Sequence, residues 1–202
     1  MYTFEKHVVR KRYGFAGRAL RMVAASVSAA VVVAAFSTAA MAQGTLRVAI
    51  TASDVPLPNG QTDQGAEGMR FLGYQVFEAL VAYDLSSADK PVTLSPGLAS
   101  RWSVNADDKT KWTFNLQEGV KFHDGSSFDA DAVIWNLDKI LNKEAPQFDP
   151  RQSAQGKGRI PTVVSYSAID AMTVEITTAS HDALFPFQIA WIVMSSPAQW
   201  NA

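Results

Sequence analysis

Apolar residues recur at alternate positions in two parts of the chain, which is the pattern of half-buried β-strands. In residues 111–116, three large apolar side chains share one side of the predicted strand. The polar run 105–109 separates this strand from a shorter one at 102–104, which predicts a hairpin. Residues 163–169 and 172–177 alternate in the same way around a two-residue turn. We therefore expect two antiparallel strand pairs in the second half of the chain.

Helical spacing of apolar residues predicts two longer helices. The first covers residues 66–83, and the second covers residues 130–141, with Asp129 as its N-cap. Residues 142–161 are mostly polar and are predicted to be a loop. Residues 184–194 are strongly apolar and predict a buried helix followed by a buried connection.

The start of the remaining chain adds one more strand and one loop. Residues 45–50 alternate and are rich in branched side chains, and residues 53–65 carry several Pro and Gly. Strands and helices follow one another without regular βαβ alternation, and no internal repeat is present. The predicted fold class is therefore mixed α+β.

The first 42 residues have the three parts of a secretory signal peptide. Six basic residues and one acidic residue occur in the first 21 positions, and residues 22–42 carry no charge. The stretch ends on Ala40-Met41-Ala42, so cleavage is predicted between Ala42 and Gln43. An uncleaved anchor is the alternative, since about 20 uncharged residues can just span a bilayer. The high alanine content makes the segment weakly hydrophobic, which favours cleavage.

Charge and cysteine content limit the partners and the chemistry that are possible for the exported part of the chain. The chain has 18 basic and 19 acidic residues, and residues 1–42 hold six and one of them, so the rest has 12 against 18, a net of −6. This balance argues against a nucleic acid or an anionic membrane as partner. There is no cysteine, which excludes disulfides, thiol catalysis and a lipid anchor after the cleavage site. We expect a protein free in the periplasm, exported by the general secretory route, because the arginines of Arg10-Lys11-Arg12 are not adjacent.

Candidate catalytic and ligand-binding groups are few. The pairs His123-Asp124 and His181-Asp182 could serve as a metal site or an acid–base dyad, but neighbouring residues point apart on a strand and no third ligand has metal-site spacing. A carboxylate pair at Asp129 and Asp131 is better explained by helix capping. An aromatic set could stack on a ligand or form a core seam between hairpin and helix: Trp102, Trp112, Phe114 and Trp135.

Three motifs carry a family resemblance. Residues 96–104 read PGLASRWSV, residues 112–125 read WTFNLQEGVKFHDG and residues 128–133 read FDADAV. This series resembles the signature of the family 5 extracellular solute-binding proteins, the peptide and nickel receptors of ABC importers. Residues 76–84, VFEALVAYD, look like the first helix of that family, and residues 171–176, AMTVEI, look like a later strand. Three positions depart from the family pattern without touching the motif core: Gln117, Asp129 and Ala132.

The resemblance implies a two-lobed receptor, similar to type II periplasmic binding proteins, that closes around a solute and delivers it to a membrane ABC permease. It implies no enzyme activity and no cofactor, and a complete receptor would be a monomer. After the signal peptide, it divides the chain into the first strand and cleft loop at 43–75, a scaffold subdomain at 76–180 and the start of a return into the first lobe at 181–202. The loop that approaches the solute corresponds here to four residues: Gln64, Gly65, Ala66 and Glu67.

Members of this family are more than twice as long as this chain, so the resemblance implies a truncated product with only part of the first lobe. We expect that residues 43–202 do not bind solute with useful affinity. The ligand stays open among a peptide, nickel, haem, an opine and an oligosaccharide, with a peptide favoured. Two other functions stay open: an exported hydrolase that uses His123 or His181, and a stand-alone interaction module that uses its apolar end.

Overall fold

The computed structural model describes residues 73–200, together with Arg47 and Ala49. Residues 73–200 belong to one compact unit, 48–202. The signal peptide 1–42 and the loop residues 64–67 lie outside the described residues. So does the strand predicted at 45–50, apart from Arg47 and Ala49, which have no regular secondary structure.

A four-stranded antiparallel sheet forms the centre of the unit. Its strands are β3 (Ala99–Val104), β4 (Lys111–Leu116), β5 (Val163–Asp170) and β6 (Thr173–Thr178), in the order β3-β4-β6-β5. Both predicted hairpins are confirmed. In the first, the Asn105 side chain accepts hydrogen bonds from two backbone N–H groups of the turn, at 2.8 and 2.9 Å, which fixes the reversal of the chain.

One face of this sheet is buried because its strands alternate. In β4, Trp112, Phe114 and Leu116 point into the core while the residues between them are only half-buried. Helix α2 (Ala130–Leu141) packs across β5 and β6. It contributes a buried stripe that the sequence predicted, in which Val133, Leu137 and Ile140 are the apolar members.

The start of α2 is set by its cap. The Asp129 carboxylate accepts a hydrogen bond from the backbone N–H of Ala132 at 2.9 Å, so the predicted N-cap is confirmed. Asp131 lies in the first turn, where a negative charge complements the helix dipole. The two carboxylates therefore have a structural use at this helix start.

The prediction of a loop at 142–161 is wrong, because α3 (Pro150–Arg159) lies within it. The Asp149 side chain accepts hydrogen bonds from the backbone N–H groups of Arg151 and Gln152, at 2.8 and 3.2 Å, and Pro150 stands at the first helical position. Capping by Asp and Pro starts this helix, although it has no apolar stripe that hydrophobic periodicity could detect.

The helix predicted at 66–83 is also wrong over its described part. Only α1 (Tyr74–Val76) is helical, and β1 (Val81–Asp84) pairs with β2 (Thr93–Pro96) in a separate two-stranded sheet. The likeness of residues 76–84 to a family helix fails with it. The physical reason is that pairing with distant chain overrides the helical spacing. Residues Val81–Asp84 pair with Thr93–Pro96, and the N–H groups of Leu98 and Ala99 donate to the carbonyls of Ala79 and Leu80, both at 2.9 Å.

The apolar stretch 184–194 is a short buried helix and connection, as predicted. Helix α4 (Phe185–Ile189) is followed by α5 (Pro197–Trp200). Phe185 is fully buried against Trp112 and Phe114, with ring centroids 5.9 and 6.1 Å away. Within residues 73–200, no helix has the length and apolar character needed to cross a bilayer.

Gly97 provides a test of the packing between the two sheets. A Cβ atom at this position would lie 2.5 Å from the backbone oxygen of Ala79, whereas one at Gly158, on exposed α3, would contact nothing within 4 Å. We expect Gly97→Ala to lower the free energy of unfolding by roughly 1–3 kcal/mol, because backbone must shift. Gly158→Ala is the matched control and should be neutral or slightly stabilising. Urea denaturation of both variants measures this, and equal stabilities would contradict the packing described.

Candidate functional site

A cleft of about 220 Å³ opens between residues 76–78 and the turn at 120–123. Its floor is apolar and buried, with contributions from Leu98, Phe128 and Met194. The exposed rim carries charges of both signs and an imidazole: Glu78, Lys121 and His123. Whole small-molecule ligands occupy pockets of roughly 300–1,000 Å³. This cleft therefore has room for one side-chain-sized group rather than for a complete solute.

The turn beside the cleft is held by glycine and aromatic packing. Gly125 has a φ of 86°, which favours glycine, and its N–H donates to the carbonyl of Phe122 at 2.9 Å. The Phe122 ring meets Phe128 edge to face, with centroids 5.7 Å apart. The turn at Asp124-Gly125 places His123 on the rim.

The carboxylate of Asp124 is engaged in hydrogen bonds that hold the turn. Its carboxylate accepts hydrogen bonds from the Ser126 hydroxyl at 2.6 Å and the Ser126 N–H at 2.9 Å, and from the Ser196 hydroxyl. The Ser126 hydroxyl, followed by that of Ser196, lowers the pKa of Asp124 to about 2. The carboxylate thus links this turn to the connection that follows α4.

The second His-Asp pair is used in a similar way. The Asp182 carboxylate accepts hydrogen bonds from the Thr162 hydroxyl at 2.8 Å, from the Gln188 side-chain amide at 3.0 Å and from the Leu184 N–H at 3.0 Å. Two of these three hydrogen bonds come from residues 184 and 188, so the carboxylate holds the start of α4. Among the residues that the structure describes, no three His, Asp or Glu side chains form a group that could hold a metal ion.

A second feature is a surface where an arginine lies on aromatic rings. We call it the arginine–aromatic surface; it consists of Tyr74, Tyr83, Arg159, Phe187 and Trp191. The Arg159 guanidinium carbon lies 4.0 Å from the Trp191 ring centroid. The rings of Tyr74 and Tyr83 approach Trp191 at 6.0 and 6.2 Å in edge-to-face geometry.

Tyr83 anchors this surface to α4. Its hydroxyl donates to the carbonyl of Phe187 at 2.6 Å, and the two rings are 6.3 Å apart. Burial raises the pKa of Tyr83, so the phenol stays protonated and keeps donating at neutral pH. Tyr74, in contrast, is 40% exposed and presents its ring to solvent.

The chemistry of the surface suits an anionic group next to an apolar one. A guanidinium that stacks on an indole keeps its in-plane N–H groups available for bidentate bonding to a carboxylate. Within the described part of the chain, no carboxylate lies close enough to Arg159 to form an ion pair with it. The exposed Tyr74 ring offers a neighbouring contact for an apolar group.

The predicted site residues are only partly described. Gln64, Gly65, Ala66 and Glu67 lie outside the described residues, and so do Ala42 and Gln43. The predicted aromatic set separates into core and surface. Trp112 and Phe114 belong to the core and Trp102 packs against it, whereas Trp135 contacts Trp200 at 5.9 Å.

Sequence reasoning missed the arginine–aromatic surface. Its members come from separate segments, and Tyr83 and Phe187 are 104 positions apart. Because the sequence of α3 is polar, Arg159 was assigned to a predicted loop. The presence of Phe187 and Trp191 in the apolar run 184–194 was the one available signal.

Comparison with known proteins gives a consistent result. The family described as "Bacterial extracellular solute-binding proteins, family 5 Middle" matches residues 93–201. Over 112 residues the chain is 35% identical to the glutathione-binding protein GsiB of Pectobacterium atrosepticum, which covers 54% of this chain and 20% of that protein. Over 117 residues it is 35% identical to the nickel-binding periplasmic protein of Escherichia coli K12, with 58% and 20% covered.

A solved structure shows the same fold. The periplasmic binding protein MoaA of A. tumefaciens R10, in complex with mannopinic acid, superposes with a TM-score of 0.55 and 27% identity, covering 68% of this chain and 27% of that one. The fold is therefore that of part of a periplasmic binding protein, as the sequence predicted. The chain spans about a fifth of the length of the curated relatives named above.

The hydrogen bonds of Asp124 predict a pH effect. Because its pKa is lowered in the folded state, its stabilising contribution is complete above the ordinary value of 3.8 and is lost as pH falls towards about 2. Asp124→Asn should therefore lose less stability than the unsubstituted chain between pH 4 and pH 2. Asp107→Asn, in the first hairpin turn, is the control and should follow the unsubstituted chain. Thermal melts across this range measure the difference, and parallel curves for Asp124→Asn and the unsubstituted chain would refute the link.

Proposed function

Because the chain belongs to the family 5 bacterial extracellular solute-binding proteins, we propose that it captures a peptide or a similar small solute in the periplasm and delivers it to an ABC permease. Proteins of this family are binding proteins rather than enzymes, and they are periplasmic. The match over residues 93–201 is the observation that carries this proposal. The turn-forming roles of Asp124 and Asp182 agree with it, because both carboxylates are engaged in structural bonds.

The arginine–aromatic surface supports a solute with a carboxylate. The Arg159 guanidinium lies over the Trp191 ring, and a guanidinium can bind a carboxylate by two parallel hydrogen bonds, as the C-terminus of a peptide or the carboxylates of glutathione would allow. One similar protein is named for glutathione and another for dipeptides. We propose that this surface and the loop residues Gln64–Glu67 face the same solute. Tyr74 follows that loop by seven positions.

We propose the division of the chain that the family resemblance implies: residues 43–75 contribute the cleft loop, residues 76–180 contribute the scaffold, and residues 181–202 begin the return towards the first lobe. Since curated relatives are about five times as long as the matched segment, we propose that residues 43–202 alone hold no solute with useful affinity. A receptor closes two lobes around its ligand, and affinity comes from burial between them.

A segment exchange tests this function. Residues 93–201 replace the aligned segment of the Pectobacterium glutathione-binding protein, and glutathione binding is measured by calorimetry. We expect the chimera to bind glutathione, and residues 43–202 alone to give no binding heat. Arg159→Ala in the chimera should weaken binding about tenfold or more, because a charge-assisted hydrogen-bond pair is lost.

Arg151→Ala is the matched control for the exchange, because Arg151 lies exposed on the same helix and makes no ring contact with Trp191. It should leave affinity unchanged. A folded chimera whose affinity is insensitive to Arg159→Ala would show that the surface does not face solute. A folded chimera without any binding would count against the scaffold role of the segment.

Export is tested separately by mass spectrometry of the protein recovered from the periplasm. We expect a mature N-terminus at Gln43. Ala42→Arg should block processing, because signal peptidase requires a small residue there, whereas Ala39→Ser, outside the small-x-small positions, should be processed normally. Recovery of unprocessed protein from the unsubstituted chain would support the membrane-anchor alternative.

A further inference from the structure

Lys139 is a buried cation with unusual surroundings. It lies on α2 and is 1% exposed. Its Nζ donates to the Ser195 hydroxyl at 2.6 Å and to the side-chain oxygen of Asn136 at 3.1 Å. The ring centroids of Trp135 and Trp200 lie 5.3 and 5.2 Å from the same nitrogen. The described residues provide no carboxylate within ion-pair distance of it.

Asn136 completes the connection between α2 and the segment 193–200. Its side-chain amide donates to the carbonyl of Ser195 at 2.9 Å and accepts from the Ser195 N–H at 3.0 Å. One side chain therefore satisfies both backbone groups of a buried residue. We call this cluster the lysine latch; it consists of Trp135, Asn136, Lys139, Ser195 and Trp200.

We propose that the lysine latch makes the docking of segment 193–200 on α2 dependent on pH, with the neutral amine favouring the docked state and the ammonium favouring its release. No latch member belongs to the arginine–aromatic surface or to residues 64–67, so the proposal does not depend on solute binding.

The direction follows from burial. Removal from water lowers the pKa of Lys139 from 10.5 to about 7, and the negative charge of Asp149 opposes part of this effect. When the segment moves away, water reaches the amine and its ordinary pKa returns. The docked state then binds fewer protons than the open state between pH 7 and 10.5, so docking weakens as pH falls through this window. Below about pH 7 the effect levels off.

Favourable contacts of the ammonium do not reverse this direction. The two indole faces and two oxygen acceptors stabilise the charged form, but they replace a complete hydration shell. Other charged groups on the packed elements have different partners. Asp138 accepts from the Tyr166 hydroxyl at 2.8 Å, and Asp124 accepts from Ser126 and Ser196. Segment 193–200 itself contains no titratable side chain.

Hydrogen exchange followed by mass spectrometry tests the latch on the full 202-residue chain. The readout is the exchange rate of peptides covering 193–200, divided at each pH by the rate in Lys139→Met, so that the chemical pH dependence of exchange cancels. From pKa values of about 7 docked and 10.5 open, this ratio should rise about tenfold between pH 8 and pH 6. Peptides covering β4 should show no such rise, because opening is local.

Lys143→Met is the matched control, since Lys143 is exposed one turn further along the chain. Its exchange profile should match that of the unsubstituted chain. Lys139→Gln, which keeps a donor but no charge, replaces Lys139→Met if the methionine variant does not fold. A ratio that stays constant between pH 8 and pH 6, or an equal rise in β4 peptides, would overturn the proposal.

Discussion

The packing of Phe185 against the central sheet is the contact on which the rest of this unit depends. The side chain is completely buried between Trp112 and Phe114, and it belongs to a segment about 70 residues later in sequence. Once α4 is held there, the hydroxyl of Tyr83 reaches the carbonyl of Phe187 and ties the small sheet to the same helix. The core of the large sheet, the small sheet and the aromatic side of the arginine–aromatic surface thus meet at α4, which this aromatic anchor holds in place.

Polar groups in this unit are used mainly to join elements. Asp124 joins a turn to the connection after α4, Asp182 joins the start of α4 to Thr162, and Asn136 joins α2 to Ser195. Asn136 is buried and needs such partners, whereas Asp182 is half-buried and Asp124 is exposed. Each of the three has a partner in another part of the chain. Arg159 differs from these groups, because it is exposed and its guanidinium lies over the Trp191 ring. It is the charged group on which the proposed contact with a solute carboxylate depends.

Local sequence patterns predicted the strands and helices that bury only one face. The hairpin of β3 and β4 and the capped helix α2 followed from alternation, helical spacing and Asp129. The apolar pairs Val76-Phe77 and Leu80-Val81 misled the same reasoning, because they fit helical spacing although Val81 begins a strand. Helix α3 was missed since capping, not an apolar stripe, defines it. Neither the arginine–aromatic surface nor the pairing of Asn136 with Ser195, 59 positions apart, has a local signature, because both arise from tertiary packing.

Residues 78–79 and 193–194, near the two ends of the described range 73–200, lie side by side. Ala79 forms an isolated bridge with Val193, and the N–H of Met194 donates to the carbonyl of Glu78 at 2.9 Å. A unit whose two ends are hydrogen-bonded neighbours resembles an insertion: a host protein need open only one peptide bond in a surface loop to accept it. The pairing of residues 78–79 with 193–194 is thus a natural junction for grafting this part of the chain into a host protein, provided that Ser195 and Trp200 are kept packed on α2.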